Sequence, residues 1–211
     1  MFGIERSIRV VRPRALASSR VNRISETPRG VTGVLLVGGA SRRFGSPKAL
    51  AELGGRTLAA RAWEALAWCD ERVAVGKRAD RLALPFPIHD DDSAVRAPLA
   101  GLVAGLRLAS HDVVVALPVD CPLVTPSVLQ ALAAACEDAA VPQTGPLPGA
   151  YRRRALPVLE QRLADGELAL RGALESLVVR VLSVDARVLA NVNSRDDLGK
   201  LELLSSDSQS D

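Results

Sequence analysis

The sequence predicts an α/β fold in three layers, α/β/α, with a mostly parallel sheet carrying helices on both faces. Three observations predict it. First, short apolar runs bounded by turn residues read as buried strands, as in Val34-Leu35-Leu36-Val37 before Gly38-Gly39. Second, helical patterns alternate with these runs along the chain, which is the order of a sheet wound by crossover helices. Third, 211 residues with 48% hydrophobic content suffice for one domain with a sizeable core, and no internal repeat or second domain is evident.

The elements follow in order. Strand one covers about residues 31–37. Gly54-Gly55 makes a turn, and Thr57 is placed to cap a helix reaching Trp68. Arg-Val-Ala-Val-Gly at 72–76 is a second strand and 85–89 a short third one, leading into the acidic loop Asp90-Asp91-Asp92-Ser93. A helix over 98–109 carries Gly101 and Gly105, which permit close packing on the sheet. Residues 112–117 contain Val-Val-Val-Ala-Leu, the strongest central-strand run. Thr125 and Pro126 then begin a helix to about Asp138. The Pro/Gly-rich stretch 142–149 reads as a loop. Helices follow over 153–164 and 168–177, with a late strand at 178–184. A last helix over 194–204 has Ser194 and Asp197 spaced as a capping box. In such sheets ligands bind beyond the carboxyl ends of the strands. The Gly38–Lys48 loop, Gly76, the Asp90 loop and Asp120 all fall there.

Charge is unevenly placed. Residues 1–29 hold seven arginines and two acids, leaving 20 basic and 22 acidic side chains in the remainder. The basic segment reads as a disordered extension outside the fold, and 205–211 as a disordered tail, so the domain spans 30–204. The mildly acidic domain and 3% aromatic content argue against nucleic-acid binding. The chain lacks an eighteen-residue apolar run, so no membrane partner is expected. Cys69, Cys121 and Cys136 are odd in number, with no Cys-x-x-Cys pair. They read as reduced thiols in a cytoplasmic protein, without a zinc site.

The chemistry concentrates after strand one. Gly38-Gly39 allows a sharp turn and close ligand approach, and Arg42, Arg43 and Lys48 follow with no acid before Glu52. Strand, glycine turn and cationic loop make a phosphate-binding arrangement. The spacing matches neither a P-loop nor a dinucleotide fingerprint. Lys48 and Arg43 are candidates to neutralise phosphate charge, while Arg42 reads as solvated. Asp120, between Pro118 and Pro122 at the end of a buried strand, is the candidate metal ligand, since magnesium needs only one or two carboxylates beside phosphate oxygens and water. The plainer alternatives are solvated cations and a turn aspartate bonding its own backbone.

Leu36-Val37-Gly38-Gly39-x-Ser41-x-Arg43-Phe44-Gly45-x-x-Lys48 resembles the signature of the MobA-like nucleotidyltransferases that act on the molybdenum cofactor, the guanylyltransferases most of all. Val37, Phe44 and Pro47 depart from that family's Ala, Met and Asp. Pro118-Val119-Asp120-Cys121-Pro122, Pro98-Leu99-Ala100-Gly101 and Asn191-Val192-Asn193-Ser194-Arg195-Asp196-Asp197-Leu198 resemble three further family segments, in the family's order. The resemblance covers about residues 31–200 and implies a Rossmann-like nucleotidyltransferase domain.

It implies a nucleotide site of Leu36, Val37, Gly38, Gly39, Lys48, Gly76, Asp90 and Asp120, with Lys48, Arg43 and Asp120 catalytic and Mg²⁺ on Asp120. Asp90 falls on the acid that meets guanine, or Asp92 if the loop alignment slips. Asp91 and Asp92 otherwise read as solvated. Gly76 stands where the guanylyltransferases often carry Asn. Asn191 and Asn193 fall on the substrate side, and Tyr151-Arg152-Arg153 resembles a segment near the pterin phosphate. The implied reaction transfers GMP from GTP to molybdenum-molybdopterin, whose product passes to a molybdenum-cofactor insertion or acceptor protein. Transfer from CTP, transfer to a sugar phosphate, and a nucleotide-sensing or chaperone module without chemistry stand as alternatives. His89, His111 and the cysteines read as structural.

Overall fold

The computed structural model describes residues 30–38 and 47–207, with side chains to Glu202. The extension 1–29, the end of the tail at 208–211, and the loop 39–46 with Gly39 and Arg43 lie outside the described residues.

β1 (Val31–Leu36) is followed by a small hairpin, β2 (Glu52–Leu53) and β3 (Arg56–Thr57). Its turn places Gly54 and Gly55 at φ of 59° and 70°, the left-handed region that glycine enters without strain. α1 (Leu58–Ala65) starts where expected, with the Ala60 N–H donating to Thr57 Oγ1 at 3.1 Å. β4 (Glu71–Gly76), β5 (Ile88–Asp90), α2 (Pro98–Leu108), β6 (Val113–Pro118) and α3 (Pro126–Ala135) complete the first half. The second half holds β7 (Ala139–Pro142), β8 (Gly149–Arg152), α4 (Leu156–Ala164), the short α5 (Leu170–Ala173), β9 (Val179–Leu182) and α6 (Arg195–Asp207). α6 runs to Asp207, three residues past the expected domain boundary at Leu204.

Seven strands form one sheet in the order β5-β4-β1-β6-β8-β7-β9. Pairing is parallel throughout except at β8, which runs antiparallel to both β6 and β7. Two of these strands, β7 and β8, stand where the sequence indicates the end of a helix and a loop. They are rich in Ala and Gly, with little β propensity, and they are held by neighbours rather than by their own sequence.

Alternate residues of β1 face opposite layers. Leu35 packs with α1 and α3, through Leu58, Ala62, Leu129 and Leu132, whereas Val34 and Leu36 pack with α2, α4 and α5. The two cores give the three layers. α2 lies close on the sheet because it carries glycines: a Cβ on Gly105 would stand 2.6 Å from Val34 Cγ1, and one on Gly101 3.1 Å from Leu36 Cδ2.

A polar network closes the amino-terminal end of the sheet. Thr32, fully buried, donates to Glu71 Oε2 at 2.6 Å and lies 3.1 Å from His111 Nδ1. The Ser110 N–H and hydroxyl donate to the same glutamate at 2.8 and 2.9 Å. Burial opposes ionisation of Glu71, but the bonds from Thr32 and Ser110 outweigh it, with nearby His111 adding, and hold the carboxyl below its ordinary value.

Candidate active site

Because β5, β4, β1 and β6 are parallel, their carboxyl ends share one rim. Two groups of residues stand there, on either side of the end of β1.

The first group surrounds Asp120. Pro118 ends β6, and the turn after it is fixed by backbone bonds: the Val119 N–H donates to Leu36 O at 3.0 Å and the Cys121 N–H to Pro118 O at 3.2 Å. The Val192 N–H donates to Asp120 O at 2.8 Å, which docks the 191–194 segment beside this turn. Pro47 precedes a single 3-10 turn, Lys48–Leu50, that carries Lys48 back over the rim. Lys48 Nζ then reaches Asp120 Oδ2 at 3.4 Å and Asn193 Oδ1 at 3.1 Å. Residues 72 and 145 positions from Lys48 therefore meet at one amine. The lysine and aspartate side chains retain 17% and 26% exposure, enough for a ligand to reach both.

Asn191 Oδ1 accepts from the Cys121 thiol at 2.9 Å. Burial, then the adjacent Asp120 charge, pushes that thiol far above its ordinary range, so it stays protonated and serves as a donor. Among the described residues no three His, Cys, Asp or Glu side chains converge as a protein-only metal cage. The set present is one reachable carboxylate with two amide oxygens nearby. These hard oxygen donors fit a cation that draws its remaining ligands from phosphate and water.

The second group lines a cleft of about 200 Å³ beyond β1, β4 and β5, floored by Leu36 and Gly38 and walled by α2 at Ala97, Pro98 and Gly101. That is below the usual span for drug-sized ligands and suits a single heterocycle. Val75 and Gly76 form the β4 side, with Lys77, Asp91 and Arg96 as the polar edge. A Cβ on Gly76 would stand 2.7 Å from Val37 Cγ2, so the branched Val37 and the bare Gly76 are matched in packing. Val37 itself is buried, and its N–H donates to Val75 O at 2.9 Å.

Leu36, Val37, Gly38, Gly76, Lys48, Asp120, Asn191 and Asn193 thus gather at the rim as the sequence indicates. Asp90 also stands at this rim. Asp90 pairs with Gly76 at the end of β5, where its carboxylate accepts from the Arg78 and Asp92 N–H groups at 2.8 and 2.9 Å. Those backbone bonds hold its carboxyl below the ordinary carboxylate value. The acid on the cleft wall is Asp91, read as solvated from the sequence. It is only 7% exposed and pairs with Lys77 Nζ at 2.5 Å. In a run of three aspartates, only the strand register decides which one turns inward, and the cations Lys77 and Arg78 after Gly76 do not say which aspartate each will meet. Tyr151-Arg152-Arg153, by contrast, stands away from the rim. Because β8 is antiparallel, Arg152 pairs with Val113 at the opposite end of β6 from Asp120. Tyr151 is buried with its hydroxyl donating to Pro146 O at 2.6 Å, and Arg152 pairs with Asp112.

With this geometry in hand, the comparisons with known proteins are decisive. Residues 33–181 match the MobA-like NTP transferase domain. The chain belongs to the MobA-like NTP transferase family. A molybdenum cofactor guanylyltransferase of Desulfosudis oleivorans is 32% identical over 190 residues, covering 82% of this chain and 94% of the relative. A probable molybdenum cofactor guanylyltransferase of Deinococcus radiodurans is 36% identical over 181 residues, covering 81% and 93%. Among solved structures, the molybdopterin-guanine dinucleotide biosynthesis protein A of Archaeoglobus fulgidus superposes with a TM-score of 0.72 at 28% identity, covering 83% of this chain and 99% of that one. The family is one of nucleotidyltransferases. No helix among the described residues is long and apolar enough to cross a membrane.

Proposed function

We propose that this protein transfers GMP from GTP to molybdenum-bearing molybdopterin, with Mg²⁺ held by Asp120, in the cytoplasm. The observation that carries the proposal is the meeting of Lys48 with Asp120 and Asn193 at the mouth of the sheet. The names of the relatives at 32–36% identity support the choice of nucleotide and acceptor. The three free thiols are consistent with a reducing compartment.

The reaction replaces one phosphoanhydride bond by another. A terminal phosphate oxygen of molybdopterin attacks the α-phosphorus of GTP, the bond from that phosphorus to the bridging oxygen breaks, and pyrophosphate leaves with its electron pair. The attacking phosphate monoester has a second pKa of about 6 and is already ionised at neutral pH, so no general base is required. The work left to the protein is positioning and charge neutralisation. Lys48 supplies a cation on the rim, and the family resemblance assigns a second to Arg43, which lies outside the described residues. Asp120 and Asn193 orient Lys48, and Asn191 and Asn193 face the acceptor side. Mg²⁺, when bound, supplies charge neutralisation on the phosphates. The Gly38 backbone lets the nucleotide lie close to the end of β1.

The test is thermal melting with GTP, CTP, ATP and UTP in Mg²⁺, followed by pyrophosphate release on adding molybdenum-loaded molybdopterin. GTP alone should raise the melting temperature strongly and support release. A response to CTP in its place would move the protein to cytidylyl transfer, and binding without release would make it a sensor.

A further inference from the structure

We infer that Lys77, acting with Asp91, reads the base of the nucleotide and selects a purine bearing an oxygen at C6 and a hydrogen at N1. This rests on the reading above, that the rim holds a nucleotide with its base in the cleft beyond β4 and β5.

The cleft has few polar side chains to offer. Gly76, at the end of β4, cannot carry one, because Val37 Cγ2 occupies the space 2.7 Å from where its Cβ would stand. Leu36, Gly38, Val75 and the α2 wall are apolar or bare. Arg96 is spoken for: its two terminal nitrogens donate to the two oxygens of Asp80 at 3.1 and 2.7 Å. Each Asp90 oxygen accepts a backbone N–H, so among the described residues at the cleft Lys77 and Asp91 are the side chains left to discriminate a base.

Their bonding leaves one donor and one acceptor side by side. Lys77 Nζ has three N–H groups. One goes to Asp91 Oδ1 at 2.5 Å and one to Ser93 O. Asp91 Oδ1 also accepts from the Ser93 N–H at 3.0 Å. Among the described residues nothing donates to Asp91 Oδ2 and nothing accepts the third Lys77 proton. Both side chains are nearly closed off from solvent, at 11% and 7% exposure, so a base that covers them without matching their bonding would leave them unmet at a cost.

A donor beside an acceptor is the complement of guanine, whose O6 acceptor adjoins its N1–H donor. Adenine and cytosine present the reverse, an amino donor beside a ring-nitrogen acceptor, and would set donor against donor. Uracil has the matching order on a smaller ring, which leaves the apolar α2 wall less well covered. Sites built to bond a polar edge reject analogues lacking it strongly.

The experiment compares kcat/KM, or binding where turnover is absent, for GTP, ITP and 2-aminopurine riboside triphosphate. ITP keeps O6 and N1–H but lacks the 2-amino group. 2-Aminopurine keeps the amino group but lacks O6 and the N1 proton. Wild type should use ITP within about tenfold of GTP and 2-aminopurine at least tenfold worse. In Lys77→Met the GTP preference over 2-aminopurine should fall to within about threefold, with melting without nucleotide checked as the fold control. A lysine that merely braced the 90–93 loop would lower use of both nucleotides alike and leave the ratio unchanged. Wild-type protein accepting 2-aminopurine as well as GTP overturns the inference whatever the variant does. Wild-type protein that ignores every guanine and hypoxanthine nucleotide but binds CTP overturns the parent reading instead.

Discussion

The two ends of the central strands carry polar clusters of opposite character. At the amino-terminal end, Thr32, Glu71, Ser110 and His111 satisfy one another through short bonds of 2.6 to 3.1 Å, and Thr32 is fully buried. At the carboxyl-terminal end, Lys48 meets Asp120 at 3.4 Å and Asn193 at 3.1 Å, with side chains left partly open to solvent. Both use the same raw materials on the same strands. The difference lies in bond length and in the fully buried Thr32, since Glu71 and His111, at 29% and 28% exposure, are as open as Lys48 and Asp120. A cluster bonded tightly around a buried hydroxyl stabilises the fold. A cluster with long bonds and exposed oxygens adds little stability and keeps its capacity for an incoming phosphate and cation. Salt bridges of that partly exposed kind contribute roughly 0–1 kcal/mol.

The contrast breaks if the two ends respond alike to mutation. The largest effect is expected at Asp120. Asp120→Ala should lower turnover at least about a hundred-fold while shifting the melting temperature by no more than about 3 °C, measured by pyrophosphate release and calorimetry on one preparation. Unfolding of the variant, or near-normal turnover, would remove Asp120 from the catalytic role. At the other end the signs should reverse. Thr32→Val removes the bonds of a buried hydroxyl to the partly exposed Glu71 and His111, and should cost about 0.5–1.5 kcal/mol with kcat within about twofold of wild type.

The smallest effect sharpens the comparison by pH. Glu71 has its carboxyl depressed in the folded state, so its contribution is present above the unfolded value of roughly 4.3 and is lost as pH falls through the folded one. Melting temperature should therefore drop on acidification below about pH 4.5, and Glu71→Gln should flatten part of that drop. The remainder belongs to Asp90, Asp185 and Asp197, whose carboxyls are lowered by local bonds. An unchanged profile in Glu71→Gln would mean that the amino-terminal network contributes nothing through its charge.

The parts of this fold readable from sequence are those specified locally. Val31–Leu36 and Val113–Pro118 are β-branched or Leu-rich runs that have no other stable outcome than a central strand. Thr57 caps α1, and the Ser194 hydroxyl accepts from the Asp197 N–H while Asp197 accepts from the Asn193 and Ser194 N–H groups, as the capping-box spacing indicates. Thr125 is an instructive failure: it starts α3, but its hydroxyl bonds Ser127 rather than a backbone N–H. What could not be read is non-local. Ala139–Pro142 and Gly149–Arg152 become strands only because β6 and β9 offer edges to them, and the antiparallel insertion of β8 sends Tyr151-Arg152-Arg153 away from the site. The Asp91–Lys77 pair likewise depends on a register between β4 and β5 that three consecutive aspartates leave open.

The reach from Lys48 to Asn193 has a consequence for the order in which this molecule becomes competent. Chains emerge from the ribosome from the amino terminus, and domains begin to fold as they appear. β1, β4, β5 and β6 are all complete by residue 118, so the nucleotide rim can assemble early. The bond from the Val192 N–H to Asp120 O, and the asparagines on either side of it, arrive only with the last tenth of the chain. A nascent or truncated molecule ending before residue 190 would hold the strands of the site but lack the clasp that Val192 makes on the Asp120 turn.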